Sequence, residues 1–477
     1  MPAKYSIHTA AVAPRVRPVG KLGIVDWRED CSSCHNCVKR GCVYGLYRDE
    51  ADTLHNQLGY LDYIYQCKGC LNCIQNCTKN ILTRVENPEF RRLGDEYFTP
   101  EIILSTWFQA ETGRIPVSGS GYGGPFSGSG FDSMWTDMSE IVRPTRDGIH
   151  GREYINTSVD ICSKLKQLAF EDGRLGTAPP PLFEIPLPVI FDCIPGHWQR
   201  GSVMESVVQA AAAIGTLAVI RDENGAGALA SKHGRVIPLV SSAKAAADGP
   251  FKTAPMVVVP DAADIMTVQA SIKKQNPQRV VAIRIEASPA GAERIVQLTR
   301  EGVEVIHLVF DKHGRESAVK HGQDAGATHK PRDARDVLRE VHRALVKDGT
   351  RDQVTLIASG GIALPEHMAK AIICGADLVA IDIPLLLALE CRLCGECERG
   401  ETCPILLEQA DADYAVHRIK NLIGAWHQQL VEVLGAMGIR EVRRLRGETG
   451  RAMFFEDLER DSFGKLFGKR KNLEGAI

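Results

Sequence analysis

The sequence lacks a long hydrophobic run, an excess of either charge and a secretory leader pattern. No stretch of about 18 or more apolar residues occurs, so no membrane-spanning helix is predicted. The 57 Lys and Arg residues nearly balance the 59 Asp and Glu residues, which argues against a nucleic-acid-binding protein. The first residues have no apolar core or cleavage pattern, and we therefore expect a cytoplasmic protein.

Cysteine is abundant and unevenly placed: of 15 residues, all but Cys162, Cys193 and Cys374 fall in three short motifs. A disulfide scaffold of this length would scatter its cysteines, whereas two-residue gaps in a reducing compartment indicate metal or iron–sulfur ligands. The three isolated cysteines are interpreted as small buried hydrophobic residues. The motifs are Cys31-x2-Cys34-x2-Cys37-x4-Cys42, Cys67-x2-Cys70-x2-Cys73-x3-Cys77 and Cys391-x2-Cys394-x2-Cys397-x5-Cys403.

The first two motifs have the spacing of a two-cluster ferredoxin, in which the fourth cysteine of each motif serves the other cluster. Cys42 lies one residue further along than in the bacterial pattern, and no proline follows either fourth cysteine. A pair of zinc knuckles is the weaker alternative, because these cysteines come as two triplets plus single residues. The spacing predicts one [4Fe–4S] cluster on Cys31, Cys34, Cys37 and Cys77 and a second on Cys67, Cys70, Cys73 and Cys42.

From about residue 185, short apolar runs rich in β-branched residues alternate with amphipathic helical stretches. This alternation predicts an α/β fold with a parallel sheet, and eight strands favour a (β/α)8 TIM-type barrel over an open doubly wound sheet. The predicted strands are 188–192, 217–221, 236–240, 256–259, 280–285, 303–309, 354–358 and 378–382. The predicted helices include 206–214, 262–274, 292–300, 335–345, 365–374 and, after the last strand, 408–436.

These patterns divide the chain into four parts. Residues 1–85 are expected to form a small ferredoxin-like two-cluster domain, and 86–184 an irregular Gly-rich connecting segment packed on the barrel. The barrel itself is predicted at 185–390. Residues 391–477 hold the third cysteine motif, a helix and a basic tail.

The third motif follows the eighth predicted strand, at the end of a barrel where active sites form. We predict a third iron–sulfur cluster there, with a structural zinc site as the alternative. Three clusters in one chain imply one-electron transfer, and a flavin accepts electrons singly and delivers them in pairs. The predicted ligands are Cys391, Cys394, Cys397 and Cys403.

A flavin phosphate site is predicted near the last two strands, where barrels of this type often bind phosphate. Ser359, Gly360 and Gly361 end the seventh strand, and glycines there let backbone N–H groups approach phosphate oxygens. Gly375 opens the turn before the eighth strand, and the whole arrangement resembles the FMN-phosphate region of many flavin barrels. The alternative is that these glycines only make tight turns.

Three charged residues near the ends of predicted strands are candidates for catalysis: Arg284, Glu286 and Asp311. A cation at residue 284 would stabilise negative charge on a reduced flavin. A salt bridge from Arg284 to Glu286 or Asp311 is the alternative. Asp192 and Asp382 are interpreted equally well as loop caps.

Further along, the sequence resembles a known family. Residues 134–160, MWTDMSEIVRPTRDGIHGREYINTSVD, resemble the segment that precedes the FMN barrel in archaeal-type glutamate synthases. Residues 426–446 are similar to the helix that follows their barrel. In the third motif, Cys391, Cys397 and Cys403-Pro404 align with the family's three cluster ligands. Cys394 is then an additional ligand, which leaves [3Fe–4S] and [4Fe–4S] both open.

The resemblance implies an iron–sulfur flavoprotein oxidoreductase, acting on CH–NH2 donors, that carries electrons from a ferredoxin-like donor through the clusters to FMN. The product would be glutamate, from reductive amination of 2-oxoglutarate or a related 2-oxo acid. No amidotransferase domain is recognisable, so a glutaminase partner subunit is expected. The sequence departs from the family after strands one, two and six, at 192–198, 221–227 and 311–315, and Arg284 replaces a lysine.

These departures keep two other interpretations open. In the first, the chain is an electron-transfer subunit of a larger redox complex, with a diverged barrel and no glutamate synthase activity. In the second, the barrel has lost its flavin and only supports the clusters. Each interpretation expects partner redox proteins or electron-transfer subunits.

Overall fold

The chain forms two compact units in a computed structural model. The barrel unit comprises Met1–Val12, Ser105–Leu389 and Leu406–Ile477, and the cysteine unit comprises Ala13–Leu104 and Glu390–Ile405. The structure describes residues 5–16, 19, 32, 34, 36, 38–41, 43, 70–81, 86–115, 130–136, 154–162, 169–176, 180–195, 198, 201–221, 225–242, 246, 251–252, 254–317, 330–458, 461–462 and 464–467.

The barrel unit is built on a closed barrel of eight parallel strands, in which the last strand pairs with the first. The strands are buried on both faces, which explains why they appear in the sequence as continuous apolar runs. The predicted TIM-type barrel and all eight predicted strands are therefore confirmed. In chain order the strands are β1 Val189–Phe191, β2 Ala218–Arg221, β3 Val236–Leu239, β4 Met256–Pro260, β5 Val280–Glu286, β6 Val305–Val309, β7 Thr355–Ser359 and β8 Leu378–Ile381.

Helices follow most of the strands and cover the barrel. In one of them, Ala334–Asp348, the buried residues Val337, Leu338, Val341 and Leu345 recur every three to four positions, which places an apolar stripe against the sheet. Gly349 ends that helix in the left-handed region, with φ 75°. The helices are α1 Gly201–Ile214, α2 Ala226–His233, α3 Ile265–Gln275, α4 Gly291–Arg300, α5 Ala334–Asp348, α6 Pro365–Ile373, α7 Ile383–Ala388 and α8 Ala412–Ala436.

The long helix α8 packs against α1 and α6. Its indole Trp426 is fully buried and donates from Nε1 to Gln109 Oε1 at 2.9 Å. Arg418, also buried, donates from Nε to the Ala388 carbonyl at 2.5 Å and from Nη2 to the Trp107 carbonyl at 3.4 Å. These bonds fix the end of the Pro100–Thr112 helix against the barrel helices.

Short elements complete the barrel unit. Three antiparallel pairs join Met134–Thr136 to Ala452–Phe454, Val159–Ile161 to Phe183–Ile185, and Phe170–Glu171 to Arg174–Leu175. Its 3₁₀ helices and remaining short helices are Gly130–Ser133, Arg351–Gln353, Leu407–Gln409, Val442–Leu445, Thr449–Arg451, Phe455–Leu458 and Gly464–Phe467.

The cysteine unit contains the described residues of all three cysteine motifs, because Glu390–Ile405 groups with Ala13–Leu104 and not with the residues that follow it. The expected domain boundaries at 85 and 391 therefore differ from the division seen here. The described helices of this unit are Val38–Gly41, Asn72–Gln75, Pro88–Arg91 and the 3₁₀ turn Cys397–Arg399, beside the start of Pro100–Thr112. Across the described parts of both units, no helix has the length and apolarity to cross a membrane.

Candidate functional site

A polar network crosses the barrel interior near the carboxyl ends of its strands. Arg284 on β5 donates to both carboxylate oxygens of Asp192, which follows β1, at 2.7 and 3.1 Å. The same guanidinium lies 3.3 Å from His307 Nδ1 on β6. His307 Nε2 lies 3.0 Å from the hydroxyl of Ser359 at the end of β7. Residues from four strands thus form one hydrogen-bonded chain, named here the barrel network.

Charge in the barrel network is fixed by burial and by its arginine. Burial would raise the pKa of Asp192, but attraction to Arg284 and the hydrogen bonds from that guanidinium outweigh it and lower that pKa to about 2. Burial lowers the pKa of His307 to about 3, although Asp192 opposes this shift. His307 is therefore neutral at pH 7. Because arginine can only donate, His307 Nδ1 is the acceptor and Nε2–H donates to Ser359.

Asp382 lies at the same end of the barrel, directly after β8, and begins helix α7. Burial and repulsion by Asp192 raise the pKa of Asp382 to about 6, so this carboxyl titrates close to neutral pH. Burial and repulsion by Asp192 likewise raise the pKa of the Cys193 thiol, to about 12. Two carboxyls with separated pKa values are the usual mark of acid–base chemistry.

Of the three catalytic candidates, only Arg284 belongs to the barrel network. Its partner is Asp192 rather than Glu286 or Asp311, the two partners considered from the sequence. Glu286 is exposed at the end of β5. Asp311 is also exposed and accepts backbone N–H groups of His313 and Arg315 at 2.9 and 2.8 Å, so it caps the loop after β6.

The loop after β7, residues 359–361 (the β7 loop), is tightly packed. Gly360 and Gly361 have φ values of 92° and 70°, and a Cβ on either would collide with backbone of residues 310–314. Glycine is therefore required here by close backbone packing. Among the described residues, no hydrogen-bond partner is found for the buried N–H of Gly360.

Gly375 is placed at the opposite end of the barrel, and its predicted role in holding a cofactor is corrected. It precedes β8, and residues before a parallel strand lie at the strand's amino end. A Cβ on Gly375 would collide with His342, and its carbonyl accepts from Arg351 Nη2 at 2.7 Å. Glycine at position 375 therefore allows the turn after α6 to approach His342 on α5 closely. This is a structural role, as in the alternative in which the glycines only make tight turns.

His307 was not recognised from the sequence, since it lies within the apolar run that predicts β6. A single histidine inside an otherwise apolar strand was the available signal. Its full burial between Arg284 and Ser359 became visible only when β5, β6 and β7 were placed side by side.

In the cysteine unit, the third motif is wound into a compact loop. Burial and the neighbouring thiols of Cys397, Cys403 and Cys394 raise the pKa of Cys391 to about 12. The backbone N–H of Leu393 donates to Cys391 Sγ at 3.5 Å. Positive φ values recur through the segment, at Glu390, Leu393, Gly395, Gly400 and Leu406, so the backbone turns repeatedly around the thiols.

Within the described residues, no group of three or more His, Cys, Asp or Glu is spaced to hold a single metal ion.

The described parts of the first two motifs contact each other. Cys34 Sγ lies 3.6 Å from Thr78 Oγ1, and Thr78 follows Cys77 in the sequence. Asn72, between Cys70 and Cys73, donates to the carbonyl of Gly41, which precedes Cys42. Four predicted ligands lie outside the described residues: Cys31, Cys37, Cys42 and Cys67.

Comparison with known proteins finds similarity to glutamate synthases. Residues 236–440 match the model of the conserved region in glutamate synthase. The chain is 24% identical over 426 residues to the archaeal glutamate synthase [NADPH] of Archaeoglobus fulgidus, covering 77% of this chain and 82% of that protein. It is 27% identical to the archaeal-type glutamate synthase [NADPH] of Thermotoga neapolitana, over 87% of this chain and 91% of that protein.

Two further similarities are more local or more distant. A stretch of 121 residues is 37% identical to the archaeal glutamate synthase [NADPH] of Methanocaldococcus jannaschii, covering 24% of each protein. Mandelate oxidase with (S)-2-phenylpropionate shares 16% identity at a TM-score of 0.39, over 66% of this chain and 97% of that chain. The chain is thus similar to archaeal-type glutamate synthases over most of its length, at 24% to 27% identity, while the ferredoxin-like module stays a prediction.

Proposed function

We propose that this protein is an iron–sulfur flavoprotein oxidoreductase of the glutamate synthase type, which uses electrons from a ferredoxin-like donor to reduce an imine of a 2-oxo acid. The observation that carries the proposal is the barrel network, a buried and charged arrangement at the catalytic end of a barrel homologous to glutamate synthases. A packed barrel needs only apolar side chains, so buried charges there indicate a function.

The residues at this end fit FMN at two points. The buried N–H of Gly360 lacks a partner among the described residues, and a phosphate oxygen would supply one. Arg284 is partly exposed, with 17% of its side chain accessible, and supplies positive charge where a reduced flavin carries negative charge. When bound, FMN would exchange electrons one at a time with clusters and in pairs with a substrate.

The chain's own residues then have distinct tasks. Asp192 holds the Arg284 guanidinium in one orientation through two hydrogen bonds. His307 is neutral because it is buried, and its hydrogen bond orients the Ser359 hydroxyl without adding a charge. Asp382, whose pKa lies near 6, is the one carboxyl of the set that can hold or release a proton at neutral pH.

The cysteine unit supports the electron-transfer half of the proposal. Contacts of Cys34 with Thr78 and of Asn72 with Gly41 are those expected if Cys77 completes the first cluster and Cys42 the second. The compact loop of the third motif suits a third cluster on Cys391, Cys394, Cys397 and Cys403. Electrons would enter at this unit from a partner redox protein, and ammonia would come from solution or from a glutaminase subunit.

One anaerobic preparation tests the function. FMN, iron and sulfide are counted per chain, and the oxidation of a reduced low-potential dye is then followed after addition of 2-oxoglutarate with ammonium. We expect oxidation that requires both additions and yields glutamate. Related 2-oxo acids serve as parallel substrates, because the loops after β1, β2 and β6 depart from the family. If every 2-oxo acid leaves the dye reduced while FMN is bound, the amino-acid chemistry is refuted.

Asp382 predicts that FMN binding depends on pH. Its carboxyl loses a proton near pH 6 and then repels a phosphate bound at the loops after β7 and β8, so affinity should fall between about pH 5.5 and 7.5. The repulsion is worth on the order of 1 kcal/mol, or about fivefold in Kd. Asp382→Asn should bind FMN more tightly at pH 7.5 and show a shallower pH profile, as measured by quenching of flavin fluorescence.

The phosphate of FMN titrates in the same range, but the free ligand is the same in both experiments. The difference between the two profiles therefore isolates Asp382. Parallel profiles would exclude this carboxyl from the phosphate's surroundings.

A second candidate function is electron transfer without amino-acid chemistry. The specific observation in its favour is that Arg284 is already paired with Asp192, so its charge is not free for a substrate carboxylate. FMN and full cluster content without turnover on any 2-oxo acid is the result that this alternative expects.

A further inference from the structure

We infer that His367 and Asp132 are positioning residues that hold the β7 loop in the shape that binds the flavin phosphate. The inference rests on the proposed function, since it concerns the same cofactor site. Neither residue was singled out in the sequence, and the barrel network does not include them.

His367 lies on α6, just beyond the β7 loop, and its side chain is almost fully buried. Its Nδ1 accepts the backbone N–H of Ala363 at 3.3 Å and lies 3.4 Å from the Gly361 carbonyl oxygen. Because Nδ1 accepts, the proton is on Nε2, which donates to Asp132 Oδ1 at 2.9 Å. One imidazole thus connects the end of the β7 loop to a carboxylate from outside the barrel.

Asp132 is itself held firmly by the Gly130–Ser133 turn. Lys370 Nζ donates to the Phe131 carbonyl at 2.8 Å and lies 4.0 Å from Asp132 Oδ1. The buried Phe131 ring lies against the His367 ring, with centroids 5.5 Å apart. Burial would raise the pKa of Asp132, but His367 and Lys370 outweigh it and lower that pKa. The carboxylate is therefore charged and fixed in place.

The β7 loop is consequently held from two sides. Residues 310–314 contact Gly360 and Gly361 on one side, and His367 bonds the following backbone on the other. A backbone N–H binds phosphate well only if it is aimed in advance, because ordering a loop on binding costs free energy. Removing the imidazole would leave the loop supported on one side, with the Gly360 N–H no longer fixed in direction.

The phosphate is the only part of FMN that riboflavin lacks, so comparing the two ligands separates loop positioning from general damage. We expect His367→Leu to weaken FMN binding by roughly tenfold, about the value of one well-placed hydrogen bond. Riboflavin binding should change by less than about twofold. Kd values are measured by flavin fluorescence on the full-length protein after its flavin is removed.

His427→Leu is the matched control. His427 is another largely buried imidazole, on α8, bonded to Thr157 Oγ1 at 3.2 Å and away from the β7 loop. It should leave the ratio of FMN to riboflavin affinity unchanged. Asp132→Asn, which keeps the shape of the side chain and removes its charge, tests the same link if His367→Leu fails to fold, and it should lower the ratio severalfold.

Three outcomes have distinct meanings. Wild-type protein that binds neither FMN nor riboflavin overturns the proposed function, and this inference with it. Wild-type protein that prefers FMN, beside variants that keep the full preference, overturns the inference alone. A preference lost in His367→Leu and Asp132→Asn but kept in His427→Leu supports it.

Discussion

Asp192→Ala is expected to destabilise the barrel unit by about 3–5 kcal/mol, because it leaves the largely buried guanidinium of Arg284 without its carboxylate partner. Only 4% of the Asp192 side chain and 17% of the Arg284 side chain are exposed, so water can replace little of the lost interaction. The measurement is the shift of the barrel's unfolding transition in urea, followed by far-ultraviolet circular dichroism.

The double variant Asp192→Ala with Arg284→Met is the control for this prediction. It removes both charges and fills the space with an apolar side chain, so it should recover most of the lost stability. A single variant as stable as wild type would show that the ion pair is not buried in the folded protein.

The ion pair between Asp192 and Arg284 should also make the stability of the fold depend on pH. The pKa of Asp192 is lowered to about 2 in the folded state, from an ordinary value near 4. A depressed carboxyl pKa stabilises the fold at pH values above the unfolded value, and this contribution is lost as the pH falls from about 4 to 2. In the Asp192→Ala variant, this contribution to stability is already absent, so the free energy of unfolding should fall less over that pH range.

Paired cysteine variants are expected to reveal which motifs share a cluster. If Cys34 and Cys77 bind the same cluster, Cys34→Ser and the double variant Cys34→Ser with Cys77→Ser should each lose about four iron atoms per chain. The control double variant, Cys34→Ser with Cys70→Ser, should lose about eight, because those cysteines serve different clusters. Iron and sulfide analysis with electron paramagnetic resonance measures both losses.

A loss of about eight iron atoms in the Cys34–Cys77 double variant would contradict the exchange of fourth ligands between motifs. Each motif would then hold its own cluster. The contact of Cys34 with Thr78 would in that case reflect only the packing of two neighbouring loops.

The barrel was predictable because parallel strands are buried on both faces and therefore stand out as apolar runs between amphipathic helices. Strand β6 was recognised, with a start two residues too early, but the same apolar context concealed His307, whose partners come from strands 23 and 52 residues away. Partners of Arg284 were sought nearby in the sequence, whereas closure of the barrel supplies Asp192 from 92 residues upstream. Such pairings depend on strand order, which a local pattern does not contain.

Gly375 shows a second limit of prediction from the sequence. Its sequence context suggests a phosphate loop, yet a residue just before a strand and a residue just after one lie at opposite ends of the barrel. The third cysteine motif followed the eighth strand as predicted, but its grouping with residues 13–104 depends on contacts between segments almost 300 residues apart. Spacing identified these cysteines, and only the fold could assign them to a unit.

The flavin content of anaerobically purified protein tests the central claim most directly. Flavin is released by acid, identified by chromatography and counted per chain beside iron and sulfide. We expect about one FMN per chain together with iron for three clusters, or about twelve iron atoms. Iron for three clusters without any flavin would contradict it, and would show that the barrel supports a relay of clusters and performs no flavin chemistry.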